Sequence, residues 1–293
     1  MHPAPSVIAF TVLSGAGLGY LALLGLGLST ATGLAAFWHF ALAYALAVGG
    51  LLASTFHLGN PRRALRAFTQ WRSSWLSREA WLSVAALLVM AVYASAAIFA
   101  GRIVAPIGWI GAALCLGTIF ATSMIYAQMT TVPRWNTPLT PACFLLAGLS
   151  GGAILAAQAG LAVPLLIALA AVQWACWSSG DRRFAQRGHS LATATGLGAQ
   201  GRPRLFEPPH SGGNYLLKEF GFQVARRHAA KLRQIALACL GLLPALILLG
   251  GPHPALLALA FALHLTGASI SRWLFFAEAE HVVMLYYGGP KPG

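Results

Sequence analysis

The sequence predicts an all-α integral membrane bundle of about eight transmembrane helices, forming a single membrane domain over residues 1–293. Three observations predict it. The chain is 58% hydrophobic, with a mean hydropathy of +0.70. Only 9% of its residues are charged, where a soluble domain carries about 25%. Its apolar residues gather in runs of about 20, the length that crosses the hydrocarbon core as a helix.

In order, the runs are approximately Pro5–Leu28, Leu34–Phe56, Glu79–Ala100, Pro106–Ala127, Pro141–Gly160, Ala162–Trp177, Gln234–Gly250 and Pro254–Phe276. Pro106, Pro141 and Pro254 suit first helical turns, where the missing N–H is harmless. Pro164 is expected in the first turn of the sixth run, and Pro244 is expected to kink the seventh. The fifth and sixth runs are joined by a residue or two near Leu161, which makes them an antiparallel pair. Gly15 and Gly19, like Gly148 and Gly152, recur four apart and let helix backbones approach closely. Packing within the chain is their ordinary use; a dimer face is the alternative.

The net charge of +13 arises from 19 basic against 6 acidic residues. The excess lies between apolar spans, which argues for binding of lipid headgroups or an acidic partner and against nucleic acid. Sixteen of the basic residues fall on one face: five arginines between the second and third runs, Arg134 between the fourth and fifth, and ten residues between the sixth and seventh. The opposite connections hold Arg102 alone. The positive-inside rule then places the basic face and both termini in the cytoplasm, as in a multi-pass protein of the bacterial inner membrane. No cleavable signal is expected, because Met1-His2-Pro3 lacks a basic n-region and the first run is long enough to remain as a span.

The stretch Ser54–Glu79 is unlike the runs it joins. It holds His57, Arg62, Arg63, Arg66, Arg72, Arg78, Trp71, Trp75 and Glu79. It reads as a polar hinge at the membrane surface, with His57 closing one span and Glu79 opening the next. Glu79 is the only acid in the first 180 residues. An ionisable group at this depth is costly and marks a proton or ligand path; a helix N-terminal acid paired with Arg78 or Arg62 is the plainer reading. A neutral imidazole donates to a quinone carbonyl and relays a proton, which a nearby carboxylate passes on. Trp71, Trp75, Trp81 and Trp135 fit an interfacial aromatic belt, with the wall of a quinone pocket as the alternative. Arg272 lies inside an apolar run and should point inward or snorkel. Glu278 and His281 would share a helix face, either lining the same pocket or capping the bundle.

The long connection 178–233 is expected on the cytoplasmic side. Its first part is a Gly/Pro-rich loop, where Gly196, Gly198 and Gly201 spell a glycine motif with no preceding strand. Its second part, YLLKEFGFQVARRHAAKLRQIA, reads as an interfacial helix with a basic stripe. Arg63, Arg66, Arg226, Arg227, Lys231 and Arg233 are candidates for docking an acidic or cluster-bearing partner; a solvated face is the bland alternative. Cys115, Cys143, Cys176 and Cys239 sit singly in apolar runs, without cluster spacing, so the chain is not expected to hold a metal or its own iron–sulfur cluster. His39 and His264 are offset in depth, so helix-to-helix hydrogen bonds are expected of them and a haem is not.

The segments STFHLGNP, SSWLSRE, WNTPLTP, ARRHAAKLR and RWLFFAEAEH, in this order, resemble the DmsC-type family of anchor subunits of dimethyl sulfoxide reductase-like molybdenum enzymes. The resemblance runs nearly the whole length. It implies an eight-helix anchor with a quinone site and no haem, bound to an iron–sulfur subunit that serves a molybdopterin catalytic subunit. By resemblance, the functional histidine and carboxylate fall on His57 and Glu79. The direction of electron flow stays open. The N-terminal segment is similar to anchors of the sulfite-oxidising complexes, which reduce quinone; a quinol-oxidising anchor of a dimethyl sulfoxide reductase-like enzyme is the alternative. A membrane transporter is the rival of another class, although no internal repeat is visible. The expected quinone-site residues are His57, Glu79, Arg62, Trp75, Trp135, Arg272 and Glu278.

Overall fold

The computed structural model describes residues 2–57, 61–204, 206–207, 228–251 and 253–287; for His57, Pro61 and Arg62 only the backbone is described. Among the described residues there is no strand. Eight apolar helices form the bundle: α1 Pro5–Gly25, α2 Gly33–Ala53, α3 Trp75–Phe99, α4 Ala105–Ala127, α5 Leu139–Leu155, α6 Ala159–Gln186, α7 Ala229–Leu248 and α8 Pro254–Ala277. Seven are long enough to cross a membrane, and α5 is shorter. The connections are short except those after α2 and α6, and successive helices run antiparallel.

Helix α1 is the hub. It is the most buried of the spans and packs on α2, α4 and α5. Small residues make this possible, because lipid supplies no hydrophobic drive between helices and close backbone approach has to supply dispersion instead. A Cβ on Gly19 would land on the carbonyl of Gly148, and one on Gly152 would strike the Gly19–Tyr20 peptide. The Gly148/Gly152 pair therefore serves packing within the chain. Polar side chains tie the helices at intermediate depths. The hydroxyl of Tyr44 on α2 donates to the Leu87 carbonyl on α3 at 2.6 Å, and that of Tyr20 on α1 meets Nδ1 of His39 on α2 at 2.5 Å. His264 on α8 faces the carbonyls of Leu240 and Ala147 at 2.8 and 3.2 Å. Both histidines thus make the helix-to-helix bonds expected of them.

Several expected boundaries move. Helix α3 begins at Trp75, so Glu79 lies in its second turn and does not open it. The first turn, Trp75-Leu76-Ser77-Arg78, is polar enough for a surface but folds as helix because Arg78 donates to the carbonyls of Trp71 and Arg72 at 3.0 and 2.6 Å, closing the preceding loop over it. The turn between α5 and α6 falls at Ala156–Gln158, not near Leu161. Ala157 takes a left-handed φ of 55°, and the side chain of Gln158 donates to Leu28 O at 3.0 Å. Helix α6 therefore starts earlier, and Pro164 lies within it. Helix α6 also runs on to Gln186, so the long connection is shorter than 178–233; its described part beyond the helix includes two short helical turns, Leu191–Thr195, closed by Gly196 at φ 69°, and Gly198–Gln200. The expected interfacial helix lies largely outside the described residues, and α7 takes over at Ala229. Pro244 is accommodated by a π-helical turn, Ala238–Leu242, immediately before it, which relieves the clash of its ring with the preceding turn.

Substituting Gly19 by Val is expected to cost about 3 kcal/mol or more, since backbone atoms have nowhere to move. At Gly15 a Cβ meets open space, so Gly15→Ala is expected to be neutral. Thermal unfolding of the purified chain in detergent checks both; equal midpoints for the two variants would contradict the packing described.

Candidate functional site

The described ends of the chain, at His2 and Tyr287, and the described parts of the α2–α3, α4–α5 and α6–α7 connections gather at one end of the bundle, the basic end. The C-terminal segment ties it together: the amide of Val282 donates to Thr131 O at 3.0 Å, and the Tyr286 hydroxyl donates to Ala194 O. His281, beyond the last span, is half-buried, and burial holds its pKa below the ordinary imidazole value.

Glu79 sits just inside this end. Its residue exposure is 4%, and the Thr122 hydroxyl on α4 donates to its Oε1. Among the described residues no basic side chain lies within ion-pair distance of it. Arg78, the plainest candidate, points the other way, with its guanidinium 4.4 Å from the Trp75 ring. The turn Ser54–His57 continues α2 to the same end and packs against the first turns of α1, so the His57 backbone is placed at this rim. The side chains of His57 and Arg62, and all of Arg226 and Arg227, lie outside what is described.

Behind Glu79 stands an aromatic wall. Tyr126 lies within coulombic reach of both Glu79 and Arg272, and packs edge-on against Trp135 at 5.4 Å. Trp135 stacks on Phe275 at 4.9 Å and its indole N–H donates to Phe275 O at 2.9 Å. It is 1% exposed, so the belt expected of it is corrected: its N–H finds a carbonyl at the end of α8 and needs no interface. Trp71 and Trp81, by contrast, are exposed. With Phe68, Trp75, Arg78 and Leu82 they line a groove of about 580 Å³ on the outer side of α3. Trp75 bridges the two regions. It lines this groove and sets its ring against Phe120 of α4 at 5.8 Å, four residues and about one turn before Glu79.

Arg272 points inward, as one of the two expected orientations had it. Its guanidinium lies 3.4 Å from the Phe144 ring centroid. Glu278 is corrected more fully. Helix α8 ends at Ala277, because the Ala279 amide turns back to Phe276 O at 3.1 Å and Val282 is drawn to the α4–α5 loop. Glu278 and His281 therefore share no helix face. Instead Glu278 joins an ion cluster with Arg134, Asp181 and Arg233. Arg233 grips Asp181 through both terminal nitrogens, at 2.7 and 2.8 Å, and reaches Glu278 through Nε at 2.9 Å. Arg134 pairs with Asp181 at 2.8 Å. Arg233 is thereby engaged inside the protein and is not a free docking cation, whereas Arg63, Arg66 and Lys231 are exposed. Arg183 and Arg187 donate to Asn136 at 2.8 and 2.5 Å, fixing the WNTP loop.

Sequence reasoning missed Thr122, Asp181 and Arg134. For Thr122 the usable signal was its spacing of four from Thr118, which puts both hydroxyls on one face of α4. It also missed that Cys143 and Cys176, from α5 and α6, bring their sulfurs to 3.0 Å. Among the described residues no group of three or more His, Cys, Asp or Glu side chains is arranged to hold a metal ion.

An apolar bundle of eight helices with two buried acids at its basic end, Glu79 and Glu278, defines a multi-pass membrane protein, and comparison identifies its kind. The family described as DMSO reductase anchor subunit (DmsC) matches residues 1–173, and the chain belongs to that family. It is also similar to one of the subunits, designated C, of the sulfite dehydrogenase of Allochromatium vinosum. The two are 34% identical over 325 aligned positions, which cover 98% of this chain and 99% of the relative. No solved structure matches.

Removing the Arg233 side chain by R233A would leave Glu278, whose side chain is 6% exposed, with only a distant partner. A loss of roughly 3 kcal/mol is expected, the low end for breaking a buried pair because Arg233 itself is partly exposed. Chemical denaturation in detergent measures it; a change below about 0.5 kcal/mol, the level of a surface substitution, would contradict the internal role of this arginine.

Proposed function

We propose that the chain is the quinone-reactive anchor of a three-subunit molybdenum/iron–sulfur oxidoreductase, passing electrons between a partner's iron–sulfur clusters and membrane quinone. The single observation that carries this reading is Glu79: a buried acid at the basic end, held by a hydroxyl and not by a cation among the described residues. The family and the full-length relative supply the setting, an anchor beside soluble redox partners. The relative favours sulfite oxidation coupled to quinone reduction. The family description favours the reverse direction, quinol oxidation for a reductase.

In the favoured direction, sulfite and water yield sulfate, two protons and two electrons in the molybdopterin subunit. The electrons pass through the iron–sulfur subunit, and quinone takes up two electrons and two protons to become quinol. This chain's residues do the binding and the proton work. The apolar groove beside Trp75 suits an isoprenoid tail. His57 donates to one quinone oxygen, and Glu79 supplies a proton to the head group and is reprotonated from the basic face. Trp135 and Glu278 are withdrawn from the quinone contacts, because one is sealed in the aromatic wall and the other belongs to the ion cluster. Arg63, Arg66 and Lys231, exposed at the same end, hold the iron–sulfur subunit, with Arg226 and Arg227 proposed beside them. The positive-inside pattern supports a cytoplasmic position for these partners.

The test is turnover of the purified complex with His57→Ala and Glu79→Gln. Each is expected to lower quinone-linked activity by at least about 100-fold, the scale of a lost general acid, with dye-linked activity of the catalytic subunit kept. Sulfite as electron donor, set against oxidation of added quinol by dimethyl sulfoxide, decides the direction. Full quinone turnover in either variant would remove that residue from the site.

A further inference from the structure

Arg272 is the least explained charge in the molecule. It is 7% exposed, its nearest ring contacts are Phe144 and Phe275, and among the described residues no carboxylate lies within ion-pair distance. A buried cation in a spanning helix costs several kcal/mol unless something compensates it. Two small cavities with mixed polar and apolar linings adjoin it, and their polar groups are the ones that matter here. One, of about 20 Å³, is lined by Thr11, Ser14, Thr122, His264 and Arg272. The other, of about 30 Å³, is lined by Arg134, Thr140, Gln173, Ser271, Arg272 and Glu278. A water needs about 10–15 Å³ and two to four polar partners, so the first accepts one water and the second two.

The second cavity also explains loose ends of the ion cluster. Among the described residues, Oε2 of Glu278 and Nη1 of Arg134 are buried and lack hydrogen bonds. They stand 3.7 Å apart, a spacing that a water in the cavity bridges. At the other end, Thr122 lines the first cavity and donates to Glu79. Glu79 and Arg272 are thus, among the described residues, two buried ionisable groups without an opposite charge in contact, and a single hydroxyl and one water-sized chamber connect them.

We infer that Arg272 is a positioning residue for proton exchange at Glu79: through two water-holding chambers, one shared with Thr122 and one shared with Glu278, it stabilises the Glu79 carboxylate and links it to the ion cluster at the basic face. This rests on the reading of Glu79 as the proton group of the quinone site. When Glu79 gives its proton to a quinone oxygen, the carboxylate left behind is balanced by the guanidinium. Arg272 keeps its own proton throughout. A proton entering from the Glu278 side meets a net positive interior while Glu79 is protonated and a neutral one once Glu79 is ionised, so it enters only to replace the one lost. The other titratable groups facing the pair are Tyr126 on α4, Cys143 on α5 and Cys176 on α6, all neutral in their ordinary forms. On α8 itself, His264 lines the far side of the first chamber.

The experiment is difference infrared titration of the assembled complex in nanodiscs, following the carboxylic C=O band of Glu79, assigned by its loss in Glu79→Gln. Arg272→Gln is expected to move the midpoint of that band up by at least one pH unit, and Arg272→Lys to restore most of it. Quinone turnover of Arg272→Gln should then peak at correspondingly higher pH, with dye-linked activity unchanged. An unmoved midpoint overturns the inference and leaves the His57 and Glu79 assignment standing; full turnover in Glu79→Gln removes the assignment itself. Hydroxyl-radical footprinting of the wild-type complex tests the chambers without any substitution. Labelling of Phe144, Phe275, Cys143 or Cys176, which flank buried water, is expected, and their complete protection overturns the inference.

Discussion

An ion inside a bilayer must meet an opposite charge, a hydrogen-bond donor or water, and the basic end of this bundle is built from the three answers to that requirement. Glu278 takes the first, held with the half-exposed Asp181 by Arg134 and Arg233. Glu79 takes the second, from Thr122. Arg272 rests on rings and lines two cavities large enough for water, which on the inference above is the third. Five helices, the α4–α5 connection and the segment after α8 contribute these groups, so the arrangement exists only when the bundle is assembled.

The rest of the fold serves to hold that arrangement still. Glycines on α1 and α5 bring backbones into contact, and helix–helix hydrogen bonds from Tyr20, Tyr44 and His264 fix the rotation of the spans. The aromatic wall of Tyr126, Trp135, Phe144 and Phe275 then closes the inner side of the Glu79 region. Rigid packing matters here because a proton donor has to stay within hydrogen-bond reach of its acceptor to be useful.

The helices were legible in the sequence because hydrocarbon thickness imposes a length on apolar runs, and seven of eight runs matched a span long enough to cross. Their ends were less legible. Helix α6 outlasts its apolar run because Asp181, Arg183 and Arg187 find partners on the α4–α5 loop, at separations of 47 to 51 residues that no local pattern reveals. The same blindness affected the charge count. Arg134, Arg183 and Arg233 belong to the basic face by position but bond to partners within the protein, so the surface left for a partner is smaller than the sequence suggests. Glu79 was legible because acids are scarce, and its depth was not, because the helix begins a turn earlier than its apolar run.

The central claim is that the membrane carrier meets this chain at the basic end, beside Glu79. The most direct measurement is labelling of the complex in native membranes with a photoreactive quinone, followed by mapping of the modified peptides. The account predicts label within residues 54–82, on the turn that follows α2 and the first turns of α3. Label confined to the opposite end, around Arg102 and the connection between α1 and α2, would contradict it.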